Sequence, residues 1–191
     1  MEVKTNYTMK KLLVLTAIII ACTQICNAQN TPKYQGEVNL GYSIGVGVPG
    51  LNKVNLNTVQ GVKVGNYVSA GLGLGLDWWR GIYKEYWETQ GRFDLGELTL
   101  PIYLNVKGYL PISEKVTPYI SCDLGCAAGI TKGVKGLGLY FSPAAGFKFN
   151  SFKAELGFTV QKFGYEYLKR APGYGYTDQA SAFNISVGYF F

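Results

Sequence analysis

Large apolar side chains alternate with small or polar ones along most of this chain, and this period of two constrains the fold more than any other feature. The last segment shows it most clearly, and its large apolar residues are Phe183, Ile185, Val187, Tyr189 and Phe191. Because successive side chains of a β-strand point to opposite faces, a period of two indicates a strand with one apolar face. The same alternation is found in residues 34–48, 67–79 and 98–110.

Four further segments bring the number of candidate strands to about eight, and they cover residues 54–64 (the weakest alternation), 117–130, 138–149 and 152–165. These segments are about ten to fourteen residues long, close to the ~10 residues that a tilted strand needs to cross a bilayer. Strands of soluble sandwiches are usually about five or six residues long. Strand length therefore favours a membrane barrel.

The connections alternate in size, as they do in outer-membrane barrels, which have short periplasmic turns and longer outer loops. Short turns are predicted at 65–66, 111–115 and 150–151, and longer links at 49–53, 80–96, 131–137 and 166–180. We therefore predict an all-β fold: a single antiparallel transmembrane β-barrel of about eight strands in up-and-down meander order.

The first 28 residues predict a cleaved secretory signal peptide. Two lysines after Met9 precede an apolar run from Leu12 to Ala21, and small residues precede a cleavage site after Ala28. The run is shorter than the ~20 residues of a spanning helix. The predicted domains are the signal peptide, 1–28, and the barrel, 29–191. Because Ile19 to Cys22 resembles a lipoprotein signal, lipidation of Cys22 is an alternative to cleavage after Ala28.

The mature chain carries little net charge. Removing 28 of the 191 residues leaves 163, with 15 Lys and Arg against 11 Asp and Glu, a net charge of +4. These charges are scattered, which argues against a nucleic-acid partner. No stretch after residue 28 approaches the ~20 apolar residues of a transmembrane helix, so the hydrophobic content of 48% must form a soluble core or the outer wall of a barrel.

Aromatic residues concentrate near the predicted strand ends, where they suit the headgroup level of a membrane. The chain has 15 Tyr, three Trp and ten Phe. The predicted interfacial residues are Tyr34, Tyr67, Trp78, Trp79, Tyr109, Tyr119, Phe149, Phe152, Tyr165, Tyr167, Tyr189 and Phe191.

Three features resemble the porin-like outer-membrane β-barrel family, the small barrels of Gram-negative bacteria. They are the signal ending at Ala28-Gln29, the segment Leu98 to Leu110, and the terminal segment Phe183 to Phe191. The resemblance implies location in the cell outer membrane. It also implies that the closing strand, with Tyr189 and Phe191, is read by the barrel assembly machinery. The family supplies no motif for catalytic or ligand-binding residues.

Charged residues of both signs fall opposite the apolar face and are predicted to form a paired network inside the barrel. They are Glu37, Lys63, Asp77, Lys107, Asp123, Lys148, Lys153 and Glu155, accompanied by Tyr103, Asn105, Ser121 and Gln161. An eight-stranded barrel is just wide enough to be filled by side chains, and unpaired charges there would be costly. We expect a plugged lumen in which Gly71, Gly73 and Gly75 leave room for larger side chains; a narrow or gated path is the alternative.

The sequence contains no histidine, which removes Ser–His catalysis and His-ligated metal sites. We therefore expect no enzymatic activity, no cofactor and no metal. Divalent-cation binding by Glu85, Glu88, Asp94 and Glu97 is the weaker alternative to an ordinary charged loop. Cys122 and Cys126 are ~13 Å apart along one face of a strand, too far for a disulfide, and are expected to face lipid.

Aromatic and basic residues of the longer links are the candidate contacts with saccharide, lipopolysaccharide or protein, because rings stack and Lys or Arg bind phosphate. They are Trp79, Arg80, Tyr83, Trp87, Lys169, Arg170 and Tyr174. The predicted function is a non-enzymatic barrel with a structural or surface-interaction role. The alternatives are a small passive channel and a soluble periplasmic barrel of lipocalin type.

Overall fold

A computed structural model describes residues 31–46, 51–80, 96–113, 115–131, 136–162 and 179–191, which form one closed antiparallel barrel. Its strands are β1 (Lys33–Val46), β2 (Asn52–Val64), β3 (Val68–Arg80), β4 (Glu97–Tyr109), β5 (Val116–Gly129), β6 (Gly136–Phe149), β7 (Phe152–Lys162) and β8 (Gln179–Phe190). Each strand pairs with the next, and β8 pairs with β1. The prediction of an eight-stranded meander barrel is confirmed.

Within the described segments, no helix has the length and apolarity needed to cross a membrane. The predicted signal peptide, residues 1–28, lies outside these segments and stays a prediction.

The barrel has two unlike ends, set by the lengths of its connections. We call the end with the turns at 65–67, 110–115 and 150–151 the turn end; it also holds the start of β1 and the last residue of β8. The other end, where β3 is joined to β4 and β7 to β8 by longer links, is the loop end. Gly65 and Asn150 adopt positive φ angles of 62° and 53° in their turns, a conformation that glycine and asparagine tolerate best.

The terminal residue completes the closure between β8 and β1. The backbone amides of Gly36 and Phe191 each donate to the other's carbonyl oxygen, both at 2.9 Å. A Cβ atom on Gly36 would lie 2.5 Å from the Phe191 ring, so glycine lets this ring cover the seam beside Tyr34. The terminal aromatic residue therefore belongs to the barrel wall.

The apolar face of each strand points outward and the polar face inward. In β1, Leu40 is 54% exposed and Ile44 50%, whereas inward-facing Glu37 is 2% exposed. The same division holds in β3, where Leu72 is exposed and Asp77 is buried. A water-soluble barrel that binds an apolar ligand needs the opposite arrangement, so the orientation favours lipid around the wall.

Two polar side chains on the outer face of β2 explain its weak alternation. Gln60 donates to Thr58 Oγ1 at 2.7 Å, and Thr58 Oγ1 donates to the carbonyl oxygen of Glu37 at 3.0 Å. The Tyr34 hydroxyl in turn donates to Gln60 Oε1. These groups satisfy one another on the surface, which lowers the cost of placing them in an apolar band.

The predicted interfacial aromatic belt agrees with the outward orientation of six residues and is wrong for three others. Tyr34, Tyr67, Phe149, Phe152, Tyr189 and Phe191 are exposed on the outside. Trp79, Tyr109 and Tyr119 instead point inward and are buried, because they share the strand phase of the polar residues. Tyr165 and Tyr167 lie outside the described residues.

Phe158 offers a direct test of which face meets lipid. It lies on the outer face of β7 and packs edge-on against Phe183, with 5.2 Å between ring centroids. We expect Phe158→Lys to destabilise the membrane-inserted barrel by about 2–4 kcal/mol, the cost of a lysine at the bilayer midplane. Urea titration in lipid vesicles measures the change, with Phe158→Leu as the apolar control. Equal stability of the two variants would contradict this orientation.

Candidate functional site

A turn-side network of four charged residues occupies the half of the lumen nearest the turn end. Lys107 Nζ lies 2.8 Å from Glu37 Oε1, and Lys153 Nζ lies 3.3 Å from the same oxygen. Lys153 also reaches Glu155 Oε2 at 3.5 Å. These residues come from β1, β4 and β7, so the ion pairs join strands on different sides of the barrel. All four residues belong to the larger set predicted to face the lumen, and their pairing offsets the cost of burying each charge.

Neighbouring side chains extend the turn-side network by hydrogen bonds. Tyr119 donates to Glu155 Oε2 at 2.9 Å, and Lys107 donates to Asn105 Oδ1 at 2.7 Å. Asn105 Nδ2 donates to Asp123, which forms no ion pair with the residues that the structure describes. The network therefore contains more carboxylate groups than ammonium groups.

A second group, the loop-side cluster, closes the other half of the lumen. Lys53 Nζ lies 2.6 Å from Asp77 Oδ2, and the two side chains are 1% and 0% exposed. The same ammonium lies 4.9 Å from the Trp79 ring centroid and 5.3 Å from that of Tyr140, within cation–π range. Trp79 Nε1 donates to Thr99 Oγ1 at 3.0 Å. Salt bridge, rings and hydrogen bond together fill the cross-section.

Stacked tyrosine rings fill the middle of the lumen. Tyr103 and Tyr140 lie 5.3 Å apart between centroids and are each 3% exposed. A Cβ on Gly73 would collide with the Tyr103 ring, so the prediction that glycine makes room for this side chain is confirmed. Tyr103 thus lies over the glycine that is paired with it on the neighbouring strand.

A small polar cavity remains between the turn-side network and the tyrosine pair. It is lined by Glu37, Asn39, Asn57, Tyr103, Asn105, Lys107, Asp123, Tyr140, Ser142, Lys153, Glu155, Asn184 and Ser186. Its free space suffices for water or a small ion, not for an organic ligand. The described interior is therefore largely filled by side chains, and this cavity has room for water or a small ion.

Two of the predicted network residues lie apart from it, at the turn end. Lys63 Nζ sits 4.6 Å from the Tyr109 ring centroid and Lys148 Nζ sits 5.0 Å from that of Phe190. Neither lysine forms an ion pair within the described part of the chain. The phase of both residues is as predicted, but aromatic rings take the place of the expected acidic partners.

Sequence reasoning missed Lys53, which it assigned to a connecting link. The residue belongs to β2, and extending the inward series of Asn57 and Asn55 by one step reaches it. Trp79 was predicted as a loop contact, but the structure places it inside β3 with 1% exposure.

Of the other predicted loop contacts, Arg80 is described: it ends β3, is exposed, and stacks its guanidinium 4.2 Å from the Trp78 ring centroid. Tyr83, Trp87, Lys169, Arg170 and Tyr174 lie outside the described residues, as do Glu85, Glu88 and Asp94 of the alternative cation site. Cys122 and Cys126 are unpaired thiols, and Cys122 is exposed on the outer face. The described segments hold no group of three or more acidic, Cys or His side chains placed to bind a metal ion.

Comparison with solved structures shows which known proteins have a similar fold. No protein-family model matches the sequence, and no curated protein matches it. Among solved structures, the chain resembles the outer membrane enzyme PagL with a TM-score of 0.54 and 13% identity, over 80% of this chain and 98% of PagL. It also resembles Neisserial surface protein A with a TM-score of 0.52 and 9% identity, over 84% of this chain and 99% of that protein. The chain has the fold of a porin-like outer-membrane barrel.

A double-mutant cycle tests the Lys53–Asp77 salt bridge. We expect Lys53→Met to destabilise the barrel by about 3–5 kcal/mol, because it leaves a buried carboxylate without its partner. The double variant Lys53→Met with Asp77→Leu is expected to lose less than the single variant. Urea unfolding of four proteins in vesicles (the unaltered protein, Lys53→Met, Asp77→Leu and the double variant) measures both effects. A double variant whose loss equals the sum of the two single losses would show that the pair is not coupled.

Proposed function

We propose that this protein is a non-enzymatic barrel of the Gram-negative outer membrane with a structural or surface-interaction role at its loop end. The observation that carries the proposal is the filled lumen. Two groups of buried, mutually paired side chains span it, and the space between them holds at most water or a small ion. With no room for an organic ligand inside, the connections at the loop end are the surface available for recognition.

Location in the outer membrane is supported by the exposed apolar wall and by the likeness of the fold to outer-membrane barrels. The turn end then faces the periplasm and the loop end faces outward, following the usual lengths of barrel connections. Tyr189 and Phe191, exposed beside the closing seam, are the proposed contact for the barrel assembly machinery. Surrounding lipid is the partner of the remaining wall.

The lack of enzymatic function is argued from the sequence. PagL is an outer membrane enzyme, so a barrel of this size does not by itself argue against catalysis. This chain contains no histidine, which leaves it without the general base most often used to activate a serine nucleophile.

Lipopolysaccharide is the proposed loop-end partner, because its phosphate and saccharide groups suit the chemistry of the links. Residues 81–95 and 163–178 contain Tyr83, Trp87, Lys169, Arg170 and Tyr174. Arg and Lys make charge-assisted hydrogen bonds to phosphate, and aromatic rings stack on apolar faces of ligands. Arg80, exposed and stacked on Trp78 at the end of β3, adds a positive group at the same end.

Charge removal at the loop end tests this proposal. We expect Lys169→Gln with Arg170→Gln to weaken the binding of fluorescent lipopolysaccharide to the refolded protein in zwitterionic micelles by about tenfold, the loss of about 1.4 kcal/mol in charge-assisted contacts.

The matched control removes the same charge from the opposite end, through Lys33→Gln with Lys115→Gln, two exposed residues at the turn end. We expect this control to bind like the unaltered protein. Equal losses in the two double variants, or no binding by the unaltered protein, would refute lipopolysaccharide recognition by the loop end.

A further inference from the structure

The polar cavity carries an unbalanced charge. Three carboxylate side chains line it, those of Glu37, Asp123 and Glu155, against the two ammonium groups of Lys107 and Lys153. Lys107 forms an ion pair with Glu37, and Lys153 forms ion pairs with Glu37 and Glu155. Asp123 is left with a hydrogen bond from Asn105 and with no ion pair among the described residues. Among the described residues, this cavity is therefore lined by one more carboxylate than ammonium group.

The unpartnered atoms around the cavity are oxygens. Glu37 Oε2, Asn39 Oδ1 and Ser186 Oγ have no hydrogen-bond partner, and their residues are 2%, 7% and 4% exposed. All three residues line the cavity. Across the described chain, every buried side-chain atom without a partner is likewise an oxygen. A buried oxygen without a partner loses its hydrogen bonds to water and gains none in return, so a group that satisfies several of them at once would stabilise the barrel.

The lysines do not reach these oxygens. Lys107 donates to Glu37 Oε1 and to Asn105 Oδ1, and Lys153 donates to Glu37 Oε1 and to Glu155 Oε2. Both ammonium groups thus approach the same Glu37 oxygen and leave Oε2 free. A hard cation prefers oxygen ligands such as carboxylate, amide carbonyl and water, which is the set this cavity offers.

We propose that the cavity binds one alkali cation, with Na⁺ as the occupant, which neutralises the surplus carboxylate and is ligated by the unpartnered oxygens and by water. A single charge matches the surplus, since three carboxylates face two ammonium groups. Within the described segments, no three acidic, Cys or His side chains are placed to bind a metal ion by themselves, so amide and hydroxyl oxygens and water must complete the coordination. The site is internal and does not depend on the loop-end function.

The test compares stability with and without an alkali cation at constant ionic strength, so that screening is the same throughout. The protein is refolded into zwitterionic lipid vesicles in NaCl, KCl or N-methyl-D-glucamine chloride, and its urea midpoint is measured. Because a ligand that binds the folded state raises stability by mass action, we expect the midpoint in NaCl to exceed that in the organic cation by about 0.5 M urea. Equal midpoints would overturn the proposal and leave water alone in the cavity.

Two variants locate the effect. Asp123→Asn removes the surplus charge and keeps an oxygen that can accept from Asn105, so we expect its midpoint to be the same in both salts. Lys63→Gln changes a charge at the turn end, outside the cavity lining, and is expected to keep the full dependence on Na⁺. A dependence that persists in Asp123→Asn would place the cation elsewhere and refute this site.

A proton could supply the same positive charge, and the salt comparison separates the two sources. A midpoint that is independent of Na⁺ but falls as pH is raised from 5 to 8 would identify a shared proton and contradict the proposal. If Asp123→Asn does not refold, the ²³Na NMR linewidth in the presence of the unaltered protein tests Na⁺ binding instead. We expect line broadening beyond that of empty vesicles, and its absence would overturn the proposal.

Discussion

The structure depends on complete closure of the backbone ladder. A wall surrounded by lipid has no water to satisfy a free strand edge, so every strand must have two neighbours. Here the last strand returns to the first, and the amides of Gly36 and Phe191 complete the seam with a pair of reciprocal bonds. The ring of Phe191 covers Gly36, the glycine opposite.

Closure leaves two surfaces with opposite requirements. The outer surface presents apolar side chains. The inner surface must bury the polar and charged side chains that alternate with them along each strand. The barrel meets the second requirement with paired charges of opposite sign. Lys53 reaches Asp77 on the neighbouring strand, and Lys107 of β4 reaches Glu37 of β1, a strand that is not its neighbour. The attraction within such an ion pair mainly offsets the free-energy cost of removing both charges from water, and it adds little net stability. Their effect is a narrow interior that admits little beyond water or a small ion.

Most of the fold could be predicted from the sequence, because alternation, strand length and connection length all report the same architecture. Which charges point inward followed from phase alone, and Glu37, Asp77 and Glu155 lie where it predicts. The sequence pattern did not predict which charged residues form ion pairs with each other, because the pairing depends on the register between strands that are distant in sequence. Lys153 reaches Glu37 over 116 positions, and no local signal encodes that meeting.

The errors have a common physical source at the strand ends. Trp79, Tyr109 and Tyr119 were placed in the interfacial belt because aromatic residues near strand ends usually meet lipid headgroups. The alternation along the strand decides the direction of a side chain more strongly than its closeness to the strand end. An aromatic ring that falls among the inward-facing residues therefore points into the lumen, where it packs against a lysine or another ring. Lys53 was missed for a related reason, because β2 begins two residues before its alternation becomes clear.

Conductance of the refolded barrel, residues 29–191, in a planar lipid bilayer tests the filled lumen most directly. Vesicle flotation establishes insertion independently, and a large porin recorded in the same bilayers shows that open channels are detectable. We expect a protein that inserts and stays electrically silent, because the loop-side cluster and the turn-side network each close the cross-section. Steady, ion-carrying openings would contradict the filled lumen and favour a small passive channel.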